Sequence, residues 1–352
     1  MTLYGRAMKY GYSNTRAKAM ESKLIDSATM RNIADAKDID SVLAILFQTD
    51  YNAAITRFGG LEISTIMLDF ALSDNMAERV NKIAQITPKS DQHVIRTIIA
   101  RWDLSNVKRV LEAMDRKQPY DAISRYVISS TEFTPIVLQD AMRADSIEGA
   151  LSRLMRNAHY RNILGMALAT YKKTGNVLDA MATIDIAHYM ELAALAPELA
   201  KRHDASAKLL GMDIEMRNII TLIRAKRKGL TFVQISPSLI RNGGIKTKAL
   251  AKLYNSSDSV VAFASKVKSF DLKNAAEAYK TNGQLLSFEI SMRNQIFNAS
   301  LKLLRLSVLS FGSLVDYVYL KEIEVFTLRA LVKSKEYGLT KEEISKLVVW
   351  NL

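Results

Sequence analysis

Cysteine is absent from this sequence of 352 residues, and the absence excludes several kinds of chemistry. Disulfides, thiolate zinc sites, iron–sulfur clusters and a cysteine nucleophile all require that side chain. Glycine and proline are scarce, with 14 and 5 residues, so tight-turn β architecture is disfavoured and long helices are favoured. Apolar residues make up 49% of the chain and charged residues 24%, which is typical of a folded globular protein.

Long uninterrupted apolar runs are also missing. The most apolar stretch, at about residues 301–320, contains Lys302, Arg305 and Asp316, whereas a membrane-spanning helix needs about 20 residues with few charges. We therefore expect this stretch to form one or two buried helices. The first twenty residues lack the apolar centre of a signal peptide. The sequence predicts a protein that meets a membrane through a partner or at its surface.

The motifs of common enzyme classes are absent as well. The sequence has no G-x-x-x-x-G-K-[ST] phosphate loop, no G-x-G-x-x-G fingerprint and no G-x-S-x-G nucleophile turn. Its four histidines show neither H-E-x-x-H nor i, i+4 spacing, so no histidine metal site is predicted. We expect no catalytic residue, cofactor, metal or small-molecule substrate, and predict that the chain by itself is not an enzyme.

A repeated turn divides the chain. The tripeptide Gly-Leu-Thr begins at Gly229 and again at Gly338, each time after a basic stretch with helical spacing. Glycine suits the left-handed position that ends a helix, and threonine caps the helix that follows. In the second copy Thr340 precedes Glu343 by three residues, which is the spacing of a capping box. The pattern predicts helix, turn and helix at both places.

The same register carries a repeated acidic residue three positions before a hydrogen-bonding one. The pairs recur at nearly equal intervals, and they are Asp103 with Asn106, Glu215 with Asn218, and Glu324 with Thr327. A second set of matching segments recurs at similar intervals, and these begin at Asp40, Glu148 and Asp258. Both sets have a period of about 110 positions, too long for a solenoid repeat. They predict an all-α chain of three similar helical domains, at residues 1–117, 118–229 and 230–352.

The acidic and amide residues are candidates for partner contact, because residues three apart share one helix face. The alternative places each acid in the first turn of its helix, where the helix dipole favours it, with the amide bonding locally. The basic run at residues 224–228 is a further candidate, although cations at a helix end are often only solvated. The predicted contact residues are Asp103, Asn106, Glu215, Asn218, Glu324, Arg224 and Arg227.

Positive charge is in excess, with a formal net charge of +13. Nucleic acid, an anionic membrane surface and an acidic protein are all partners that such a charge attracts. The run at 224–228 is flanked neither by interleaved aromatic residues nor by a DNA-recognition helix, so we do not expect nucleic acid as a partner. A basic helical adaptor that binds nucleic acid or soluble proteins stays open as an alternative.

Four segments that carry the repeat or open the chain resemble one protein family, the C subunits of archaeal and bacterial A/V-type ATPases, whose eukaryotic counterpart is the V-ATPase d subunit. They are YGYSNTRAKAMESKLI (10–25), RWDLSNVKRVLEA (101–113), MDIEMRNIITLIRAKRKGLT (212–231) and LKEIEVFTLRALVKSKEYGLTKEEI (320–344). The resemblance implies three helical domains arranged as a funnel around a pseudo-threefold axis. It also implies a peripheral protein at the cytoplasmic face of the cell membrane, where the members of this family lie.

The resemblance also implies a role. The family's members are non-catalytic parts of the central stalk, or rotor, and link the shaft subunits D and F to the proteolipid ring of the membrane sector. They transmit torque between proton or sodium transport and ATP synthesis or hydrolysis, while the chemistry belongs to other subunits.

Overall fold

A computed structural model describes residues 3–202, 204–241, 245–306 and 309–347. Within these ranges the chain forms nineteen α-helices and no β-strand, which confirms the predicted all-α class. The helices are α1 Leu3–Glu21, α2 Ser27–Asp35, α3 Ile39–Leu46, α4 Asn52–Phe58, α5 Thr65–Ile86, α6 Gln92–Asp115, α7 Tyr120–Ser124, α8 Pro135–Met142, α9 Ile147–Leu154, α10 Arg161–Thr174, α11 Val177–Arg202, α12 Asp204–Arg227, α13 Phe232–Ile235, α14 Thr247–Asn255, α15 Val260–Lys266, α16 Lys273–Asn282, α17 Leu286–Leu306, α18 Gly312–Glu336 and α19 Lys341–Leu347.

The chain packs into two compact units. Unit one comprises residues 1–52, 86–88 and 193–352, and unit two comprises residues 53–85 and 89–192. Unit one therefore contains both the beginning and the end of the sequence. The three predicted repeat domains are a division by sequence similarity rather than by packing, and they stay a prediction.

Three long helices carry the repeated acids, and all three end in the same way. The residues after α6, α12 and α18 that adopt left-handed backbone are Lys117, Gly229 and Gly338, with φ values of 55°, 70° and 64°. In each case the next residue's N–H donates to a carbonyl five residues earlier, at 2.8, 3.0 and 2.9 Å. This closure confirms the predicted helix ends at the two glycines, and it shows that a lysine holds the same position in the first copy.

The predicted threonine caps are also present. Thr340 N–H donates to Glu343 Oε2 at 2.8 Å, and Glu343 N–H returns to Thr340 Oγ1 at 3.3 Å. Thr231 makes the equivalent capping box with Gln234. These reciprocal bonds satisfy backbone donors that the first turn of a helix leaves open. The predicted capping box is therefore confirmed.

The second set of matching segments is confirmed in its first interval and wrong in its second. Side chains of Asp38, Ser146 and Ser259 cap α3, α9 and α15, each accepting from the N–H three residues on. The first two caps are separated as predicted, but the third falls three positions later than the predicted match requires. Capping and burial set this register, because Val260 and Phe263 of α15 are buried like Ile147 and Ala150 of α9.

Each acid-bearing helix packs against one of these capped short helices. Helix α6 contacts α9 in unit two, whereas α12 contacts α15 and α18 contacts α3 in unit one. Helix α18 is buried along most of its length, including the segment from Gly312 to Lys321. The predicted burial near residues 301–320 is thus confirmed for the part within α18 and wrong for Leu301 and Lys302, which are exposed in α17, while residues 307 and 308 lie outside the described residues. No described helix is long and apolar enough to cross a membrane.

Candidate functional site

The three repeated acids lie near the middle of α6, α12 and α18, and all three are buried. The alternative that placed Asp103, Glu215 and Glu324 in the first turn of a helix is therefore wrong. A buried carboxylate needs hydrogen-bond partners, because its desolvation is otherwise costly. We call the surroundings of these three residues the acid sites, and they differ in how they meet that requirement.

The Asp103 acid site uses two hydroxyl groups. Tyr160 donates its hydroxyl to Asp103 Oδ2, and Ser130 donates to Oδ1 at 2.5 Å. Burial raises the pKa of the Asp103 carboxyl, and these two hydrogen bonds offset part of that rise. Burial and the neighbouring Asp103 likewise raise the pKa of Tyr160. Ser130 also accepts from the backbone N–H of Phe133 at 2.9 Å, so the acid holds a loop in place.

The Glu324 acid site joins an early part of the sequence to a late part. Tyr51 donates its hydroxyl to Glu324 Oε1 at 2.6 Å, and the backbone N–H of Ile25 donates to Oε2 at 2.5 Å. The ammonium of Lys321 lies 2.7 Å from Glu324 Oε1 and 4.1 Å from the centre of the Tyr51 ring. Burial and the Glu324 carboxylate raise the pKa of Tyr51. This ion pair is fully buried, and the hydrogen bonds from Tyr51 and Ile25 to the Glu324 carboxylate offset part of the cost of its desolvation.

The Glu215 acid site lacks the tyrosine. Tyr51 and Tyr160 immediately precede α4 and α10, but the residue that immediately precedes α16 is Leu272. Oxygen Oε1 of Glu215 is buried with no hydrogen-bond partner among the described residues. Burial raises the pKa of this carboxyl, and a hydrogen bond with Ser269 offsets part of the rise. Of the three acids, Glu215 has the weakest compensation for its burial.

The amides paired with the first two acids make one repeated contact. Asn106 Nδ2 donates to the Ile128 carbonyl at 2.8 Å, and Ile128 N–H donates to Asn106 Oδ1 at 3.1 Å. Asn218 makes the same pair of bonds with Ile240, at 3.0 and 2.9 Å. Each amide thus pairs with both backbone groups of a residue in the loop after the next short helix, α7 or α13, as a neighbouring β-strand would. The equivalent loop residue for Thr327 lies outside the described residues.

Four of these five predicted contact residues have their hydrogen bonds within the chain, whereas Glu215 Oε1 has no partner among the described residues. Their contact with another subunit stays a prediction. Sequence reasoning missed Tyr51, Tyr160 and Lys321. The interval between the two tyrosines matches the repeat period and could have indicated both of them. Nothing in the repeat marks Lys321, whose role depends on the burial of α18.

The basic run has two kinds of residue. Lys226 turns inward, where its ammonium donates to the carbonyls of Tyr254 and Ser257 at 2.9 and 2.8 Å, and burial lowers its pKa. Arg224 and Arg227 are exposed, and the Arg224 guanidinium lies 3.9 Å from the Glu289 carboxylate. The two predicted arginines are therefore available at the surface, and their contact with a partner stays a prediction.

One acid site opens onto a cavity. Asp103 and Tyr160 line a space of about 410 Å³ in unit two, together with Arg96, Glu132 and His159. The Arg96 guanidinium and the Glu132 carboxylate, both in the cavity lining, pair at 3.2 Å, and burial lowers the pKa of His159. No group of three or more histidine or acidic side chains within the described residues has the arrangement of a metal site.

Comparison with known protein families gives a match over most of the chain. The family model described as ATP synthase (C/AC39) subunit matches residues 13–347, which is nearly the whole chain. The chain belongs to this family. The C/AC39 resemblance that the sequence segments indicated is thereby confirmed, and with it the assignment to the subunits of an A-type ATP synthase complex.

Relatives of the C/AC39 family from distant archaea align along almost their full length. Proteins named as the C subunit of an A-type ATP synthase are 23% identical over 329 residues in Thermoplasma acidophilum, 24% over 342 in Haloquadratum walsbyi and 25% over 344 in Thermococcus onnurineus. The alignments cover 91, 95 and 96% of this chain and 91, 96 and 90% of the relatives. Similarity of this extent relates the whole chain, rather than one domain of it, to these C subunits.

Proposed function

We propose that this chain is the non-catalytic central-stalk component of a rotary ATPase, linking the D and F shaft subunits to the proteolipid ring. In that position it transmits torque between proton or sodium transport and ATP synthesis or hydrolysis. The observation that carries the proposal is the C/AC39 family match over residues 13–347. We further propose three similar domains around a pseudo-threefold axis, forming a funnel at the cytoplasmic face of the membrane.

Internal stiffness supports this role, because a torque element must not yield between its two attachments. In unit one, Tyr51 and Ile25 near the start of the chain bind Glu324 near its end. A second tie runs through Asn14, whose side chain exchanges hydrogen bonds of 3.0 and 3.1 Å with the backbone of Ser310. Buried polar networks of this kind rigidify a close-packed helical body.

Surface charge supports contact with acidic partners. The chain has a formal net charge of +13, and Arg224 and Arg227 are exposed at the end of α12. Positive surfaces speed association with acidic proteins and draw proteins towards anionic lipid headgroups. The affinity for the shaft should therefore fall as salt is added, because added ions screen exposed charges. An affinity unchanged between low and high salt would count against this part of the proposal.

The decisive experiment mixes the purified chain with the D/F shaft and with the detergent-solubilised proteolipid ring. We expect a ternary complex to elute as one species in size-exclusion chromatography. A chain that binds neither the shaft nor the ring would overturn the proposal. A parallel salt titration with random duplex DNA tests the adaptor alternative, for which micromolar affinity with a steep salt dependence is expected.

A further inference from the structure

Helix α1 has two apolar faces, and only one of them is covered by the part of the chain that the structure describes. On the inner face Tyr10, Ala17 and Met20 are buried, and α1 packs along α18 within unit one. On the opposite face Tyr4, Met8 and Tyr12 are 77, 74 and 70% exposed. Exposed large apolar side chains that lie in a row mark an interaction surface, unlike single ones.

The spacing of the outer face is that of a helix–helix seam. Positions 4, 8 and 12 are followed by the exposed small residues Thr15 and Ala19, and steps of four and three residues keep all five on one side of a helix. From Met8 onwards the steps are four, three and four, which is the heptad spacing of knobs-into-holes packing. The row extends for about 22 Å along the axis. We call Tyr4, Met8, Tyr12, Thr15 and Ala19 the outer seam.

Charge on either side of the outer seam specifies its partner further. Arg16 and Lys18 are exposed on opposite sides of the C-terminal half of the seam. The only acidic residue of α1 is Glu21, and Lys18 already pairs with it at 2.6 Å. Flanking charges set partner choice in two-helix seams. The complement is a helix with an apolar seam of its own and acidic residues beside it.

Resting on the proposed function, we infer that the outer seam of α1 docks an acidic-flanked helix of the D/F shaft. A membrane surface is disfavoured, because a helix lying in a bilayer needs a broad apolar face, whereas the outer seam is narrow and has only three large apolar side chains. The inner face is anchored through Asn14, which binds the backbone of Ser310 and the Ser313 hydroxyl at the start of α18. Torque applied to the seam would thus reach the buried helix α18 directly.

The test compares two triple variants of the full chain. Tyr4→Gln, Met8→Gln and Tyr12→Gln remove the apolar seam while keeping good helix formers. The matched control is Ile136→Gln, Leu178→Gln and Val233→Gln, which removes aliphatic side chains that are comparably exposed elsewhere. Circular dichroism and the thermal midpoint establish that both variants are folded. Affinity for labelled D/F shaft, and separately for the proteolipid ring, is then measured.

We expect the seam variant to bind the shaft on the order of tenfold more weakly or worse, because apolar anchors dominate such interfaces. The control should bind the shaft as the wild type does, and both variants should bind the ring unchanged. Arg16→Glu with Lys18→Glu should also weaken shaft binding at low salt, with the difference shrinking at high salt.

Three results would overturn the inference while leaving the proposed function intact. In the first, the seam variant binds the shaft as tightly as the wild type. In the second, only ring binding is lost. In the third, the seam variant loses instead a wild-type self-association in sedimentation, or a wild-type binding to phosphatidylglycerol vesicles. A wild-type chain that binds the ring but not the shaft would overturn the inference alone, and one that binds neither would overturn the proposed function as well.

Discussion

Tyr51 donates its hydroxyl to the carboxylate of Glu324, 273 residues later in the sequence, at 2.6 Å. The contact is fully buried and shares the Glu324 oxygen with the ammonium of Lys321. It closes unit one by joining the beginning of the chain to its last long helix. In unit two the same kind of pair, Tyr160 with Asp103, joins residues only 57 positions apart. The same tyrosine–carboxylate contact therefore joins nearby segments in unit two and distant segments in unit one.

Removing the Tyr51 hydroxyl should destabilise unit one. Tyr51→Phe takes away a hydrogen bond to a buried charged group, which is worth about 1.5–3 kcal/mol in the free energy of unfolding. Urea unfolding measures the change. Tyr4→Phe is the control, because Tyr4 is exposed and its free energy of unfolding should stay within about 0.5 kcal/mol of the wild type. Equal effects of the two substitutions would show that the buried contact contributes little.

Replacing Glu215 should change how stability depends on pH. Burial raises the pKa of this carboxyl above its ordinary value of 4.5 in the folded chain, so the folded state holds the proton more tightly than the unfolded state. The stability that this tighter proton binding contributes is fully present below pH 4.5 and is lost as pH rises through the raised pKa of Glu215 in the folded state. We expect Glu215→Gln to gain stability relative to the wild type as pH rises from about 5 to about 7.

Urea unfolding of both proteins at about pH 5, 6 and 7 measures that difference. Exposed Glu277 is the site of the control substitution, Glu277→Gln, whose stability relative to the wild type should change little over this range. A difference between wild type and Glu215→Gln that stays constant over the whole range would contradict the expected proton linkage.

The amide contacts of Asn106 and Asn218 should be costly to remove. Asn106→Ala leaves the buried N–H and carbonyl of Ile128 without their partners, and each orphaned group costs about 1–3 kcal/mol. We expect a loss of about 2–6 kcal/mol from unit two, and a similar loss from unit one for Asn218→Ala. Urea unfolding checks both. Asn255→Ala, at an exposed position of α14, should change stability far less.

The lysine that ends α6 offers a stabilising substitution. Lys117 adopts left-handed backbone with φ of 55°, where glycine occupies the two equivalent positions. Left-handed backbone costs a residue with a Cβ atom about 1 kcal/mol more than it costs glycine. Lys117→Gly should therefore raise the free energy of unfolding by about 0.5–1 kcal/mol. Gly229→Ala should lower it by about 1 kcal/mol through backbone strain alone, because an added Cβ meets nothing within 4 Å. Thermal unfolding of the two variants should shift in opposite directions.

Features that depend on neighbours in sequence were predictable. The helix ends at Gly229 and Gly338 and the capping box of Thr340 with Glu343 rest on hydrogen bonds that span only a few residues. Local chemistry therefore specified them, together with the helical class and the recurrence of the acidic pairs. The alignment of the repeats was less predictable where the position of a helix cap disagrees with the matching residue types. The cap at Ser259 shows this, because it lies three positions later than the sequence match requires.

The burial of the acids and the pairing of each acid with its long-range partner were decided by the tertiary structure. In the sequence Asp103, Glu215 and Glu324 are equivalent, yet two of them meet a tyrosine and the third has Leu272 at the corresponding position. Likewise Lys226 turns inward from a basic run whose arginines stay exposed. Composition and spacing specify which face of a helix can be buried, but the atoms that face it come from distant segments. Those partners are set only when the helices pack, because a hydrogen bond requires an approach of about 3 Å that sequence distance does not encode.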